Sequence, residues 1–236
     1  MHDRPSDSVH VERVWRSEGA GARLMQSVTN SNWEMVISRG DGSVHVTVRG
    51  PETRVSMVDL PTYGSAVGIV FGHGTTMPHL PVPRLVDSAI TADHVTEHRM
   101  TLRGDSWEIP TFENAEDFVG QLVRSGVLRR DPLVYDVAAG ADDHRLSARA
   151  VQLRVASATG LTKTAIRQIE RARAAAMMLQ EGRAILDVVS ELGYYDQPHL
   201  AHALTRFIGR TATELRDPSP EVPLSLLYKT AGWGSP

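Results

Sequence analysis

The stretch AILDVVSELGYYDQPHLAHALTRF, residues 184–207, decides how the second half of the chain folds. Apolar residues recur in its first part at the i, i+3, i+4, i+7 spacing of one helix face: Ile185, Val188, Val189 and Leu192. Gly193 follows this stripe, and glycine commonly ends a helix because it readily adopts a positive φ. We therefore expect a short amphipathic helix that ends at Gly193.

A second helix is predicted directly after this turn. Asp196 is a candidate N-cap, and Pro198 falls in the first turn, where its missing N–H costs no hydrogen bond. An apolar stripe of Leu200, Leu204 and Phe207 leaves the polar side chains pointing outward: His199, His202, Thr205 and Arg206. Two short helices joined in this way are typical of a helix-turn-helix, whose second helix enters the major groove of DNA. The alternative is a plain helical hairpin with solvated polar residues.

A similar pair of helices is predicted upstream. Asp131-Pro132 opens a helix that runs to Ala139, and Ser147 caps another that ends at Gly160. The outward residues of the latter are Arg149, Gln152, Leu153 and Ala156. One helix from Thr162 to Glu181 joins the two pairs, and its length of about 30 Å is close to the ~34 Å of one turn of B-DNA. The chain could therefore place two reading helices in successive major grooves.

Residues 146–216 resemble the DNA-binding domain of the AraC/XylS-type transcription regulators. The segments that carry the resemblance are LSARAVQ (146–152), TGLT (159–162), IERAR (169–173), ILDVV (185–189), GYYDQPHL (193–200) and FIGRT (207–211). The block at 193–200 matches the family's most specific signature. The front half is similar to the family's sensor domains only in position, size and the order of strands before helices.

The resemblance implies DNA contacts from both helix pairs. Residues implied to read base edges are Arg149, Gln152, Gln197, His199 and His202, and those implied to bind phosphates are Arg206, Arg210, Lys163 and Arg167. The chain departs from the family pattern at Leu153, Ala201, His202 and Ala212. We expect residues 131–216 to bind DNA without the front half.

Charge is unevenly distributed along the 236 residues, whose net charge is −3. Residues 1–143 contain 13 basic and 20 acidic residues, and residues 144–236 contain 12 and 8, so the basic half is suited to an anionic partner. Of the 25 basic residues only Lys163 and Lys229 are lysines. This excess of arginine suits phosphate and guanine contacts, but an arginine-rich codon bias would give the same ratio. The absence of Cys excludes disulfides, cysteine-ligated metals and thiol catalysis. No membrane span or signal peptide is evident, so we expect a cytoplasmic protein.

The front half is expected to be rich in β-structure. Strand-like segments occur at residues 33–37, 44–48, 55–60, 66–71 and 99–103, and their spacing suggests a barrel or a sandwich. The predicted fold class is α+β: this domain at 1–110, a connecting helix at 111–130, an all-α domain with two helix-turn-helix units joined by a long helix at 131–216, and a Pro-rich tail at 217–236.

Three aromatic residues, Trp33, Phe71 and Trp107, are candidates for lining a ligand pocket in the front half, with plain core packing as the alternative. The segment HVTEH (94–98) matches the H-x-x-E-H pattern of zinc peptidases, but it leads into a predicted strand rather than a helix. We therefore expect no metal site, no cofactor and no catalytic residues.

The function expected from these observations is that of a sequence-specific, ligand-responsive transcription regulator that is not an enzyme. Its expected partner is double-stranded operator DNA, while a small-molecule effector, a homodimer and an RNA polymerase contact are left open, and no membrane is expected. Two alternatives stay open: a metal-dependent small-barrel enzyme, and a degenerate helix-turn-helix that binds proteins as an adaptor.

Overall fold

The fold is α+β, as the sequence predicts: the N-terminal half contains a large antiparallel sheet, and helices follow it. The computed structural model describes residues 2–19, 24–40, 42–59, 64–141 and 146–217, together with Val222, Leu224 and Ser225. Part of the long connection after Gly140 and most of the expected tail lie outside the described residues.

Strands fill most of the described N-terminal half. They are β1 (His2–Pro5), β2 (Val11–Gly19), β3 (Leu24–Ser27), β4 (Glu34–Gly40), β5 (Ser43–Arg49), β6 (Ser56–Asp59), β7 (Gly64–Phe71), β8 (Thr75–Thr76), β9 (Ala89–Thr91), β10 (Arg99–Leu102), β11 (Asp105–Glu108) and β12 (Arg129–Arg130). The five predicted strands correspond to β4, β5, β6, β7 and β10.

Helices follow in the positions that the sequence predicts. They are α1 (Ala115–Arg124), α2 (Pro132–Ala138), α3 (Ala148–Thr159), α4 (Lys163–Gln180), α5 (Ile185–Glu191) and α6 (Gln197–Phe207). Short 3₁₀ helices occur at Val82–Leu85 and Glu214–Arg216. In the described part of the chain, no helix combines the length and apolar character that crossing a membrane requires.

The described residues form two compact units, and each draws on both halves of the chain. The first lies within residues 1–21, 32–51 and 61–163, and the second within 22–31, 52–60 and 164–236. The first therefore contains α2 and α3, whereas the second combines α5 and α6 with the two-stranded antiparallel sheet of β3 and β6, called the β3–β6 sheet below. These units cut across the segments expected from the sequence, whose boundaries stay predictions.

A six-stranded antiparallel sheet organises the first unit, in the order β1-β2-β7-β4-β5-β9. The alternation that predicts β5 is explained by burial, because Val46 and Val48 lie opposite Ile37 and Met35 of β4 and all four are buried. The buried face of α1 belongs to the same apolar core.

The closed barrel that the strand spacing suggests is not seen. Closure requires the edge strands to pair with each other, but among the described residues β1 pairs with β2 alone and β9 with β5 alone. Strand β9 has only three residues, all exposed, and so short an edge offers little for further pairing.

Candidate nucleic-acid interface

The first helix pair, α2 and α3, is fixed by the caps that the sequence indicates. The carboxylate of Asp131 accepts a hydrogen bond of 3.1 Å from the Leu133 N–H, and the Ser147 hydroxyl accepts one of 3.3 Å from the Ala150 N–H. Gly160 ends α3 at φ +75°. A Cβ at Gly160 would lie 2.5 Å from Val86 Cγ2, so only glycine allows this end of α3 to pack so closely.

The two sides of α3 differ sharply. Val151 and Val155 are buried, whereas Arg149, Gln152 and Leu153 are exposed, Leu153 to 63%. Within the described residues, Arg149 and Gln152 make no side-chain hydrogen bond or ion pair. The structure thus leaves the polar groups implied to read bases available to an external partner.

The second helix pair, α5 and α6, repeats this arrangement. The Asp196 carboxylate caps α6 by accepting a hydrogen bond of 2.8 Å from the His199 N–H. Leu200, Leu204 and Phe207 are buried, as the stripe predicts. The exposed side chains of α6 include all those implied to contact DNA from this helix: Gln197, His199, His202 and Arg206.

His199 is held by the turn that precedes α6. Its Nδ1 accepts a hydrogen bond of 3.3 Å from the Tyr195 N–H, and its ring meets Tyr194 edge-on at 5.2 Å. A neutral imidazole that accepts at Nδ1 carries its proton on Nε2, so His199 offers one defined donor. Tyr194 is buried beneath the Arg171 guanidinium, and burial raises the pKa of its hydroxyl, whereas Tyr195 is 90% exposed.

The four side chains implied to bind phosphates have different surroundings. Arg206 and Arg167 are exposed, and the Arg206 guanidinium lies 4.9 Å from the centre of the Phe207 ring. Lys163 is half-buried. Arg210 instead has two partners within the second unit, the side-chain oxygen of Gln26 at 2.8 Å and the backbone carbonyl of Val222 at 2.6 Å. Because its donors are engaged, we leave Arg210 out of the proposed DNA contacts.

The end of α6 has a partner that sequence reasoning missed. Thr29 lies two residues after the end of β3. Its N–H and its hydroxyl both donate to the Phe207 carbonyl, at 3.1 and 2.8 Å. The guanidinium of Arg173 on α4 donates to the Thr29 carbonyl at 2.7 Å. No local pattern could reveal these contacts, since the partners are 178 and 144 positions apart.

The three aromatic residues suggested for a ligand pocket make stacking contacts or hydrogen bonds within the first unit. The Trp33 and Phe71 rings stack with centroids 3.9 Å apart, and their residues are 4% and 0% exposed. The Trp33 indole N–H donates to the Thr75 carbonyl at 2.7 Å, and that of Trp107 to the Leu102 carbonyl at 3.2 Å. The structure therefore places Trp33 and Phe71 in the core, with Trp107 half-buried against it.

An open groove of about 1000 Å³ lies elsewhere in this unit, at the β4–β5 turn. Its polar lining includes Arg39, Ser43, His45, Asp93 and Glu97. Two of these groups are engaged with each other, since the Ser43 hydroxyl lies 3.1 Å from His45 Nε2. The groove shares no residue with the three suggested aromatics.

The H-x-x-E-H segment does not form a helix. Residues 94–98 lie in bends and an isolated bridge before β10, and His98 Nε2 is 3.8 Å from the Glu97 carboxylate. Among the described residues, no group of three or more His, Asp or Glu side chains is arranged to hold a metal ion.

No family model matches the chain, and neither a curated protein nor a solved structure matches it. A functional assignment therefore has to rest on the exposed faces of α3 and α6 and on the packing that supports them.

Proposed function

We propose that the chain is a sequence-specific DNA-binding transcription regulator of the AraC/XylS type, with α3 and α6 as its reading helices. The observation that carries the proposal is that each helix is capped and buried on its apolar side, while its exposed side presents donors that the described residues leave unused. Solvent-exposed donors on a rigidly mounted helix are what a major-groove contact needs.

The chemistry of each exposed side chain suggests its role. Arginine makes bidentate contacts with guanine and glutamine with adenine, which suits Arg149 and Gln152 on α3. On α6, Gln197, His199 and His202 would read bases, while Arg206, with Arg167 and Lys163 on α4, would bind phosphates. The 18 residues of α4 span about 27 Å, of the same order as one turn of B-DNA.

The front half would serve as a sensor or dimerisation part in this proposal. Its excess of acidic residues would repel phosphates, which argues against a direct role in DNA binding. A small-molecule effector, a second copy of the chain and RNA polymerase are the further partners that such a regulator would have. Its place would be the cytoplasm, where genomic DNA is accessible, and a chain without Cys suits that reducing compartment.

In vitro selection from a random duplex library with the full-length chain tests the proposal. We expect enrichment of a site with two half-sites about one helical turn apart, and an affinity for it that falls by orders of magnitude between about 50 and 200 mM salt. A library that stays random after repeated selection would reject the proposal.

A second candidate function is that of a protein-binding adaptor. The observation that favours it is the exposure of two large apolar side chains beside the polar faces, Leu153 at 63% and Tyr195 at 90%. Selection separates the two functions, because an adaptor would enrich no DNA sequence.

A further inference from the structure

We propose that Thr29 and Arg173 are positioning residues for α6, which makes the two-stranded β3–β6 sheet of the front half a structural support of the second helix pair. The consequence for DNA reading rests on the proposed function, whereas the positioning itself does not. All the residues concerned belong to the second compact unit.

The end of α6 is held by Thr29. A helix leaves its last carbonyls without partners inside the helix, so their position depends on groups from elsewhere. The Phe207 carbonyl receives both donors of Thr29, a residue that is completely buried. Two bonds from one buried residue fix this carbonyl more tightly than water would.

Thr29 is itself bonded to α4. The Thr29 carbonyl accepts from Arg173, which is 1% exposed, and Arg173 Nε lies 3.9 Å from the carboxylate of Glu170, which is 6% exposed. Glu170 in turn accepts a hydrogen bond from the Ser31 hydroxyl. Buried charged groups are costly without their partners, so Thr29 and Ser31 are held to α4.

The chain just beyond α6 also packs closely against residues of β3 and next to β6. Gly209 has φ +73°, and a Cβ there would lie 2.3 Å from Gln26 Nε2 and 3.1 Å from Val55 Cγ1. Gln26 is in β3 and Val55 directly precedes β6, so this turn lies against the β3–β6 sheet itself. Arg210, bonded to Gln26, adds a further link.

Together, these contacts make the β3–β6 sheet and the residues that follow β3 the connection between α4 and the end of α6. A reading helix must hold its side chains within about 0.5 Å of the productive geometry. A shift of the β3–β6 sheet would move the end of α6, and with it Arg206 and His202, although no residue of this sheet is proposed to touch DNA. Signals that displace residues 24–31 could thus change DNA reading.

Hydrogen exchange tests the positioning in the full-length chain and does not depend on DNA binding. Thr29→Val keeps the shape of the side chain but removes its hydroxyl donor, whereas Thr29→Ser keeps the donor. The matched control is Thr47→Val, which removes an exposed hydroxyl 3.4 Å from that of Thr91 on β5 and β9. We expect Thr29→Val to speed exchange at the amides of residues 207–209, at and just beyond the end of α6, by about tenfold, as the loss of one buried hydrogen bond would.

Exchange in Thr29→Ser and Thr47→Val should stay near that of the parent. Equal exchange in Thr29→Val and the parent would overturn the positioning role. If Thr29→Val does not fold, Gln26→Ala replaces it, because it removes the amide that bonds to Arg210 and to the carbonyls of Ile208 and Gly209. Unchanged exchange in Gln26→Ala would likewise overturn positioning of α6 by the β3–β6 sheet.

A second measurement tests the consequence for DNA. The measurement compares the affinity for the site selected by the parent with the affinity for sites that carry a substituted base. In Thr29→Val this ratio should fall about tenfold for the bases read by α6 and stay unchanged for those read by α3. Thr29→Ser should restore the parent's ratio. A uniform loss over both half-sites would reject a local effect on α6. If the parent selects no DNA, the proposed function fails, while the exchange result still decides the positioning role.

Discussion

The guanidinium of Arg173 on α4 donates a hydrogen bond of 2.7 Å to the backbone carbonyl of Thr29, a residue 144 positions earlier in the chain. The Glu170 carboxylate beside Arg173 is also buried. The attachment of the residues after β3 to α4 therefore includes a buried charged pair and its hydrogen bonds. This arrangement has consequences for stability that can be measured.

Arg173→Met should destabilise the protein strongly, by about 3–5 kcal/mol, because it leaves the Glu170 carboxylate buried without its cation. The matched control is Arg167→Met on the exposed side of the same helix, which should change stability by less than about 0.5 kcal/mol. Urea unfolding of the full-length chain measures both. The double variant Arg173→Met with Glu170→Gln should recover part of the loss, and an Arg173→Met cost no larger than that of Arg167→Met would contradict the role of the pair.

A fragment of residues 131–216 should bind DNA less tightly than the full-length chain. The sequence alone predicts that this segment acts without the front half, but it lacks Thr29, Ser31 and Gln26, which complete the surroundings of α4 and α6. We expect the fragment to unfold at a lower temperature and with less cooperativity than the full-length chain, as followed by circular dichroism. A fragment that melts as sharply and binds as tightly as the full chain would show that the β3–β6 sheet is dispensable.

The helix ends could be predicted from the sequence, because capping is local. Asp131, Ser147 and Asp196 each accept from an N–H two or three positions ahead, and such signals need no knowledge of the tertiary fold. The hairpin of β4 and β5 is equally local, since its strands follow each other. The exposed faces of α3 and α6 are local as well, because the caps and the spacing of apolar residues together fix which side chains point outward.

Long-range packing could not be predicted in the same way. Strand β2 is not among the strands that the sequence predicts, because four charged residues interrupt its apolar pattern, and it pairs with β7 far along the chain. One of the four, Arg13, is buried and paired with Asp3 at 2.6 Å, a compensation that only the folded structure reveals. The contact of Thr29 with Phe207 belongs to the same class.

Gln152→Ala and Arg206→Ala should weaken DNA binding in different ways. Gln152 is proposed to read a base, so its loss should cost roughly 1–3 kcal/mol on the selected site only. Arg206 is proposed to bind a phosphate, so its loss should weaken all sequences alike and lower the salt slope by about 1. Titrations with the selected and a scrambled duplex at several salt concentrations measure both effects, and equal losses on both duplexes for Gln152→Ala would reject base reading.

Stability should fall in acid partly through Glu116 on α1. The Arg4 side chain donates to this carboxylate at 2.7 Å and holds the pKa of Glu116 below its usual value of 4.5. A lowered pKa means that the pair stabilises the fold above about pH 4.5 and that this contribution is lost as the pH falls through the lowered value. Because both groups are partly exposed, water screens the pair, and we expect about 1 kcal/mol or less.

Thermal unfolding of Glu116→Gln and the parent checks this pH dependence. The variant should melt at a lower temperature at pH 7, and the difference should shrink as the pH falls below 4.5 and through the lowered pKa of Glu116, where the parent carboxyl becomes protonated. Glu113→Gln is the matched control, because its partner Arg16 lies 3.0 Å away at a more exposed position. A difference that stays constant with pH would assign the stabilisation to something other than the charged pair.

DNA binding should tighten as the pH falls from about 8 to 6 because His202 occupies an exposed position on α6, at which the AraC/XylS-type pattern that the chain resembles usually has arginine. A nearby phosphate favours the charged form of a histidine side chain, while Arg206 one turn away opposes it at a screened surface distance. His199 differs, since its Nδ1 already accepts from the Tyr195 N–H. His202→Arg carries a permanent charge, so it should bind more tightly than the parent at pH 8 and show a flatter pH profile. His202→Gln, which cannot be charged, is the matched control and should be equally flat but weak. A parent and a His202→Arg variant with parallel pH profiles in the same titration would show that His202 does not carry the pH dependence.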